Sequence, residues 1–413
     1  MGKIKRLPTG ISQFRSISDS NLYYVDKTMY LPKMEAVSDF LFFIRPRRFG
    51  KSLFLSMVAD YYDCENYKDI DEEFQGTWIA EHPLETKGKF QVLSLDFSQV
   101  AGCADNLQDA FHVYLGIKID AFLRKYGKYY SQKAIEAAHN APTAGGKIAA
   151  FAGEAKEKGY RLYLIIDEYD NFTNVVLNEQ GHDVYHEMTH GSGFYRDVFK
   201  TFKPNFTRIL FMGVSPITLD DLTSGFNIAT NISIDSWFND LLGFSETDVR
   251  KMISYYQEVG RITKPENEII AEMKPWYDNY CFSEECYGVE PCMYNSNMVI
   301  YYMNTLITTG RPPKDMRDPN SKTDYAKMKR LVSLDRLDGD RKGVVRTIAE
   351  QGYINAKVET SFQAVDEIDP NMFVSLLFYY GMLTIGGTYL DRLHLVIPNL
   401  NILNLYKRFI AEQ

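Results

Sequence analysis

The sequence predicts an α/β fold: a phosphate-loop parallel sheet with helices on both faces, continuing into helical segments and a small winged-helix-like α+β unit. Three observations predict it. An apolar run of strand length, Leu41-Phe42-Phe43-Ile44, passes through Arg45-Pro46-Arg47-Arg48-Phe49-Gly50-Lys51-Ser52 into the helix-like Leu53-Phe54-Leu55-Ser56-Met57-Val58. A second apolar run, Tyr163-Leu164-Ile165-Ile166, ends in the adjacent carboxylates Asp167 and Glu168. Between and beyond them, strand-like runs alternate with stretches of helical spacing, the pattern of a parallel sheet covered on both sides.

Taken in order, the loop helix is followed by a strand at Phe90-Gln91-Val92-Leu93-Ser94-Leu95-Asp96-Phe97, with partial alternation, and by helical spacing over residues 106–126 and 144–158. The run at 163–168 is apolar throughout, as a parallel strand buried on both faces must be. A helix follows over 194–203, then a further buried strand at Arg208-Ile209-Leu210-Phe211-Met212-Gly213-Val214. Near residue 241 the composition changes. Ser245 with Asp248 three positions on is a helix-cap pattern, and helical spacing continues to about Met303, interrupted by aromatic and glycine-containing sequence at 276–295. The last block reads helix (Met372 to Tyr380), glycine stop (Gly381), strand (382–385), turn and strand (394–398), then a short helix over 400–409. Domain boundaries are accordingly expected at 1–240, 241–310 and 311–413.

The loop carries the first piece of chemistry. The usual phosphate loop is Gly, four residues, then Gly-Lys-Ser/Thr, whose backbone N–H groups and lysine surround phosphates while the hydroxyl reaches Mg²⁺. Here Arg45 stands at the first glycine. The residues from Arg47 through Arg48, Phe49, Gly50, Lys51 and Ser52 to Leu53 would cradle the phosphates at the helix N-terminus. Arg45, Arg47, Arg48 and Lys51 then read as one concentration of positive charge at the phosphate site. The second piece is the strand ending in Asp167 and Glu168, since open α/β sheets place their ligand chemistry at the carboxyl ends of the strands. Asp167 with Ser52 would hold Mg²⁺, and Glu168 would act as general base on the attacking water. Ser215, just past the strand at 208–214, either senses the γ-phosphate or caps the turn that Pro216 favours. Arg208 begins that strand and belongs at its far end, away from the nucleotide.

These residues resemble the predicted AAA-ATPase-like family of P-loop proteins, found mainly in gut and anaerobic bacteria and related to archaeal-type ATPases and signalling P-loop NTPases. The matching stretches are Gly10-Ile11 with Phe14, Tyr24-Val25-Asp26-Lys27-Thr28, the whole Arg45 to Ser52 loop, Ile166-Asp167-Glu168-Tyr169-Asp170, Gly213-Val214-Ser215-Pro216, Leu222-Thr223-Ser224-Gly225-Phe226-Asn227 and Pro398-Asn399. The Arg-Pro-Arg-Arg-Phe-Gly-Lys-Ser loop is the family's own variant. The resemblance implies ATP and Mg²⁺ as cofactors, Mg²⁺-dependent ATP hydrolysis, and a helical lid over the nucleotide at 241–310. Homo-oligomers are common among such relatives, and the C-terminal unit is a place for an unidentified protein or nucleic-acid partner. Many relatives carry a further PD-(D/E)xK nuclease domain. No such cluster of acids and lysine precedes Gln413, so nuclease activity is not carried over.

Composition narrows the setting. With 45% hydrophobic and 24% charged residues the chain supports two or three cored domains. No apolar stretch approaches the roughly 20 residues of a membrane span, and the N-terminus lacks the apolar segment of a secretory signal, so cytoplasm is expected. Five cysteines without short paired spacing argue against a disulfide framework, and Cys281, Cys286 and Cys292 lack the spacing and fourth ligand of a zinc site. A net charge of −8 gives no general attraction to nucleic acid. The basic residues between Lys327 and Arg346 interleave with Asp335, Asp338 and Asp340, the mixed pattern of a solvated surface.

Two other readings stand beside the ATPase. One is a slow-turnover nucleotide switch or scaffold that binds a macromolecule. The other is a zinc peptidase, because His186-Glu187-Met188-Thr189-His190 matches the H-E-x-x-H pattern in which one helix face presents two ligands and a base. Against the latter, Gly191-Ser192-Gly193 would end the helix at its second histidine.

Overall fold

The structure is a computed structural model of the whole chain; it describes residues 4–67, 69–100, 106–191, 193–216, 229–317, 341–360 and 370–412. The stretch 222–227 that matched the family, and most of the basic segment between Lys327 and Arg346, lie outside the described residues.

Five strands form the central sheet: β1 (Phe40–Ile44), β2 (Phe90–Asp96), β3 (Arg161–Asp167), β4 (Arg208–Gly213) and β5 (Thr230–Asn231). Their order is β2-β3-β4-β1-β5, and every neighbouring pair is parallel. β4 is buried along its whole length and β1 and β3 nearly so, because helices cover both faces. That is why the sequence of these strands is continuously apolar rather than alternating. The register aligns the carboxyl ends: Ile44 lies opposite Gly213, Ile166 opposite Phe211 and Asp96 opposite Asp167. Four strand ends therefore open onto one edge of the sheet, with β4 between the loop strand and the acid strand.

The helices that periodicity placed are found there, with ends moved by one to a few residues, and others, such as Tyr30–Val37, Gln132–Asn140 and Asn171–Glu179, were not anticipated. Those anticipated include Lys51–Tyr62 after the loop, Leu107–Tyr126 capped by the Asn106 side chain, Ala144–Glu157 and Phe194–Asn205. The Ser245 cap is a full capping box, with Asp248 N–H donating to Ser245 Oγ (3.1 Å) and Ser245 N–H to Asp248 Oδ2 (3.0 Å). At the far end of β4, Arg208 pairs with Glu35 (2.6 Å) and Asp39 (3.1 Å), a structural tie to the start of β1.

The remainder divides into two bodies that differ in how they are held. Helices Glu246–Glu258, Glu266–Tyr277 and Ser296–Thr309, with the short antiparallel pair β6 (Phe244–Ser245) and β7 (Met293–Tyr294), enclose their own apolar cluster around Met252, Ile253, Met273 and Tyr302. Ile4, Leu7, Tyr23 and Val25 of the N-terminal segment pack against it. The C-terminal body consists of helix Arg341–Gln351, β8 (Tyr353–Ala356), helix Pro370–Tyr379, the hairpin β9 (Thr384–Tyr389) and β10 (Arg392–Val396), and helix Leu400–Ala411. Its antiparallel sheet has the order β8-β10-β9, and its apolar residues, among them Phe378, Leu383 and Tyr406, belong to the same core cluster as the central sheet. Among the described residues no helix is long and apolar enough to cross a membrane.

Candidate nucleotide site

The loop between β1 and helix Lys51–Tyr62 is shaped by two left-handed residues, Arg48 (φ 70°) and Gly50 (φ 98°). Gly50 adopts this at little cost; Arg48 does not, and its strain is held by neighbours. Its carbonyl accepts from Ser296 Oγ (3.0 Å) and the Asn297 N–H (3.2 Å), while the Arg47 carbonyl accepts from Asn295 Nδ2 (3.3 Å). The start of helix Ser296–Thr309 thus grips the loop backbone directly. Phe49 is buried, set edge-on against Tyr280 and Phe282 at centroid distances of 5.0 and 5.6 Å.

Arg45 departs from the sequence expectation. It adds no charge to the phosphate site. Its guanidinium is 1% exposed and lies between the rings of Phe43 (4.3 Å) and Phe282 (4.0 Å), donating to the carbonyls of Ile44 (3.0 Å), Ser233 and Phe238 (2.8 Å). Burial pulls its pKa down to about 9, which leaves it charged at neutral pH. An arginine at this loop position is therefore a buried strut joining β1 to the segment after β5.

Lys51 is 5% exposed, and its ammonium donates to the carbonyls of Arg45 and Pro46, both at 3.0 Å. Burial lowers its pKa, opposed by the charges of Glu168, Asp167 and Asp170. The next residue, Ser52, is exposed, and its hydroxyl meets the Asp167 carboxylate at hydrogen-bond distance. This contact crosses over the end of β4. Asp167 is raised to about 6, chiefly by burial and despite the Ser52 hydrogen bond. Among the described residues, a buried ammonium held by neutral carbonyls beside a half-buried strand-end carboxylate fits an anion and a divalent cation together. Glu168 is left-handed (φ 51°), its carboxylate accepting from Asn171 Nδ2 at 3.3 Å.

Ser215 lies two residues past the end of β4. It is fully buried and does not line the cavity next to the loop. Asp170 accepts from the N–H groups of Val214 (3.2 Å) and Ser215 (2.9 Å), and Tyr169 Oη donates to the Ser215 carbonyl. Gly213 is required here: a Cβ would stand 2.3 Å from Tyr169 Cε1 and 2.5 Å from Asp170 Oδ1.

The cavity beside the loop holds about 440 Å³. One wall is the loop itself, Arg47 to Phe54, with Glu168; the others come from Pro8 to Ser12, Tyr23 to Val25, Leu242 to Phe244 with Met252, and Ser296, Asn297 and Ile300. Sequence reasoning gave the first two of these four segments no role, although Gly10-Ile11 and Tyr24-Val25 are among the stretches that carry the family resemblance; the last two fall in the region, 241–310, that the resemblance marked as a lid over the nucleotide. The H-E-x-x-H segment forms helix His182–Thr189, which ends before His190. The rings of His186 and His190 stack at 3.9 Å and 12°, face to face, and His190 Nδ1 pairs with Thr189 Oγ1. Among the described residues no group of three His, Cys, Asp or Glu side chains is placed to hold a metal ion.

A buried lysine on a phosphate loop, with a hydroxyl and a strand-end carboxylate converging across the neighbouring strand, defines the P-loop class of nucleotide-binding folds. Within it, the family model described as predicted AAA-ATPase matches residues 8–223, and the chain belongs to that family. An uncharacterized protein encoded in the vnfD 5′ region of Azotobacter chroococcum mcd 1 is 26% identical over 284 residues, 68% of this chain and 49% of that protein. The chain thus spans about half the length of this curated relative. Among solved structures, the ORC2 protein of Aeropyrum pernix (ADPNP–ADP complexes) is similar with a TM-score of 0.43 and 12% identity, over 98% of this chain and 96% of that one. Cdc6p from Pyrobaculum aerophilum gives 0.33 and 10%, over 90% and 87%. Scores this low carry no function across.

Proposed function

We propose that this protein is a Mg²⁺-dependent ATPase, and the observation that carries the reading is the meeting of Ser52 and Asp167 beside the buried Lys51 ammonium. Lys51 leaves the carbonyls of Arg45 and Pro46 for the β- and γ-phosphate oxygens, exchanging neutral acceptors for charged ones. The backbone N–H groups from Arg47 to Leu53 face the phosphates at the helix N-terminus. Ser52 Oγ and Asp167 would hold Mg²⁺, which neutralises phosphate charge when bound. Glu168, at the carboxyl end of β3, accepts the proton of the attacking water. The apolar walls given by Ile11, Val25, Phe244, Met252 and Ile300 take the base. Family membership supports ATP as the nucleotide and the cytoplasm as the compartment.

The test is calorimetric titration of Mg²⁺–ATP with phosphate release followed on the same samples. Binding and turnover in the wild type, with Glu168→Gln retaining binding and losing about 10²–10⁴-fold in kcat, is the expected result. Equal hydrolysis by Glu168→Gln removes it from the mechanism. Tight binding without phosphate release from the wild type turns the reading into a nucleotide switch.

A further inference from the structure

The carbonyls of the phosphate loop from Arg45 to Phe49 all accept hydrogen bonds, and the donors come from two places. Those of Arg45 and Pro46 accept from the Lys51 ammonium, both at 3.0 Å. Those of Arg47, Arg48 and Phe49 accept from residues nearly 200 or more positions further along the chain: from Asn295 Nδ2 (3.3 Å), from Ser296 Oγ (3.0 Å) together with the Asn297 N–H (3.2 Å), and from the Gly243 N–H (3.1 Å). Ser296 is 6% exposed and begins helix Ser296–Thr309, and Asn295 caps that helix, its Oδ1 accepting from the Met298 N–H at 3.4 Å. Resting on the nucleotide-binding part of the reading above, we propose that Ser296 and Asn295 are positioning residues for phosphate: they hold the two peptide planes that flank Arg48 in the left-handed turn, and the place of helix Ser296–Thr309 thereby sets the affinity of the loop.

The physical argument is one of peptide geometry. A trans peptide unit is planar, so its C=O and N–H point in opposite directions. Bonds that draw the carbonyls of Arg47 and Arg48 toward the start of helix Ser296–Thr309 therefore aim the N–H groups of Arg48 and Phe49 the other way, and the Gly243 bond on Phe49 does the same for the Gly50 N–H. Those N–H groups belong to the stretch that cradles phosphate. The two planes meet at the Arg48 Cα, so holding both fixes φ and ψ there, at a φ of 70° that a residue with a Cβ leaves when nothing holds it. Lys51 cannot supply this hold once it turns to the phosphates, because it then gives up Arg45 and Pro46; the bonds at Arg47, Arg48 and Phe49 keep the loop in shape. A loop that is set in only a fraction of the molecules binds with its dissociation constant raised by the inverse of that fraction. Movement of helix Ser296–Thr309 is thus converted into a change in phosphate affinity, and by linkage bound phosphate holds the helix in place.

The experiment titrates Mg²⁺–ADPNP and, separately, Mg²⁺ with inorganic triphosphate, which has no base, into wild type, Ser296→Ala, Arg48→Gly and the double variant by calorimetry, with thermal unfolding of each. Ser296→Ala should raise both dissociation constants about 10-fold. In the Arg48→Gly background, where glycine adopts the left-handed turn unaided, the same change should cost no more than about 2-fold. The loss of the Arg48 side chain is common to both members of that pair and cancels. An unchanged affinity in a folded Ser296→Ala overturns the proposal. So does an equal loss in both backgrounds, which makes Ser296 a direct contact of the ligand, and so does a loss confined to ADPNP, which assigns it to the wall around the base. Should Ser296→Ala fail to fold, Asn295→Ser carries the test, since serine keeps a cap on the helix but has no amide to reach the Arg47 carbonyl. A rise of about 5-fold that disappears in the Arg48→Gly background is then expected, and no rise overturns the proposal. A wild type that binds neither ligand refutes the nucleotide reading and this proposal together, whereas hydrolysis is judged separately, by phosphate release.

Discussion

The two ends of the cavity proposed for the nucleotide, here called its phosphate and base ends after that proposal, are built in opposite ways. The phosphate end is local: Arg47 to Leu53 are consecutive, and the acids that face them come from one strand end. The base end is assembled from four segments far apart in sequence, at 8–12, 23–25, 242–252 and 296–300. Hydrogen-bonding chemistry concentrates at the first, where a charged phosphate must be met atom for atom. Apolar contact makes up most of the second, where area rather than geometry supplies affinity. A single substitution should therefore be severe at the phosphate end and graded at the base end.

Lys51→Ala gives the sharpest contrast. Removing the buried ammonium proposed to meet the phosphates should weaken Mg²⁺–ATP binding about 1,000-fold, ~4 kcal/mol, with little change in unfolding temperature. Calorimetric titration reads it, and retention of micromolar affinity would place the phosphates elsewhere.

Arg45→Gly asks whether the loop's departure from the usual motif is functional or structural. Restoring the common glycine deletes a guanidinium that satisfies carbonyls of Ile44, Ser233 and Phe238. The protein should lose about 3 kcal/mol or more of stability, seen as a lower denaturant midpoint, and gain no affinity for nucleotide. An unchanged midpoint would show that other donors reach those carbonyls.

Ile11→Ala belongs to the base end. The side chain is partly exposed and lines the cavity, so truncation removes apolar contact without hollowing the core. The expected rise in the dissociation constant is about 5- to 10-fold, ~1–1.4 kcal/mol, and inorganic triphosphate, which has no base, should bind the variant and wild type alike.

The same contrast sets how far the sequence could be read. β1, β3 and β4, the helix after the loop and the trio Lys51, Ser52 and Asp167 were legible because each depends on neighbours in sequence: a buried strand is apolar throughout, and a phosphate loop needs its glycine and lysine side by side. Arg45 misled, since a charge at a loop position reads as facing the ligand, whereas distant carbonyls at Ser233 and Phe238 and the aromatic faces of Phe43 and Phe282, the latter 237 positions away in the chain, draw it inward. Ser215 was placed at the correct strand end, but its burial between Asp170 and Tyr169 was not legible, because both come from the turn after β3 rather than from its own strand. The grip of Asn295, Ser296 and Asn297 on the loop was invisible for the same reason: three polar residues at a helix start read as an ordinary cap.

The smallest effect on nucleotide binding is expected away from the cavity, in the seam between helix Glu266–Tyr277 and the C-terminal body. Asp278 is 3% exposed, its Oδ1 has no hydrogen-bond partner, and its carbonyl accepts from Asn399 Nδ2 at 3.1 Å. Burial raises its carboxyl to about 6, opposed by the Asn279 N–H and by Lys274, 3.8 Å away, and reinforced by Glu246. Cys292 and Tyr294 are its other titratable neighbours, and both are pushed further from ionising. With the folded value above the ordinary 3.8, the native state holds a proton that the unfolded chain releases, so this contribution to stability is full below about pH 4 and is lost as pH rises to about 6. Asp278→Asn removes the titration. The variant and wild type should unfold together at pH 4, and at pH 8 the variant should be the more stable by on the order of 2 kcal/mol. Denaturant melts at the two pH values decide it: a wild type more stable at pH 8 would mean that the Lys274 pair outweighs burial. The dissociation constant for Mg²⁺–ATP at pH 8 should stay within about 2-fold, because Asp278 lines neither end of the cavity.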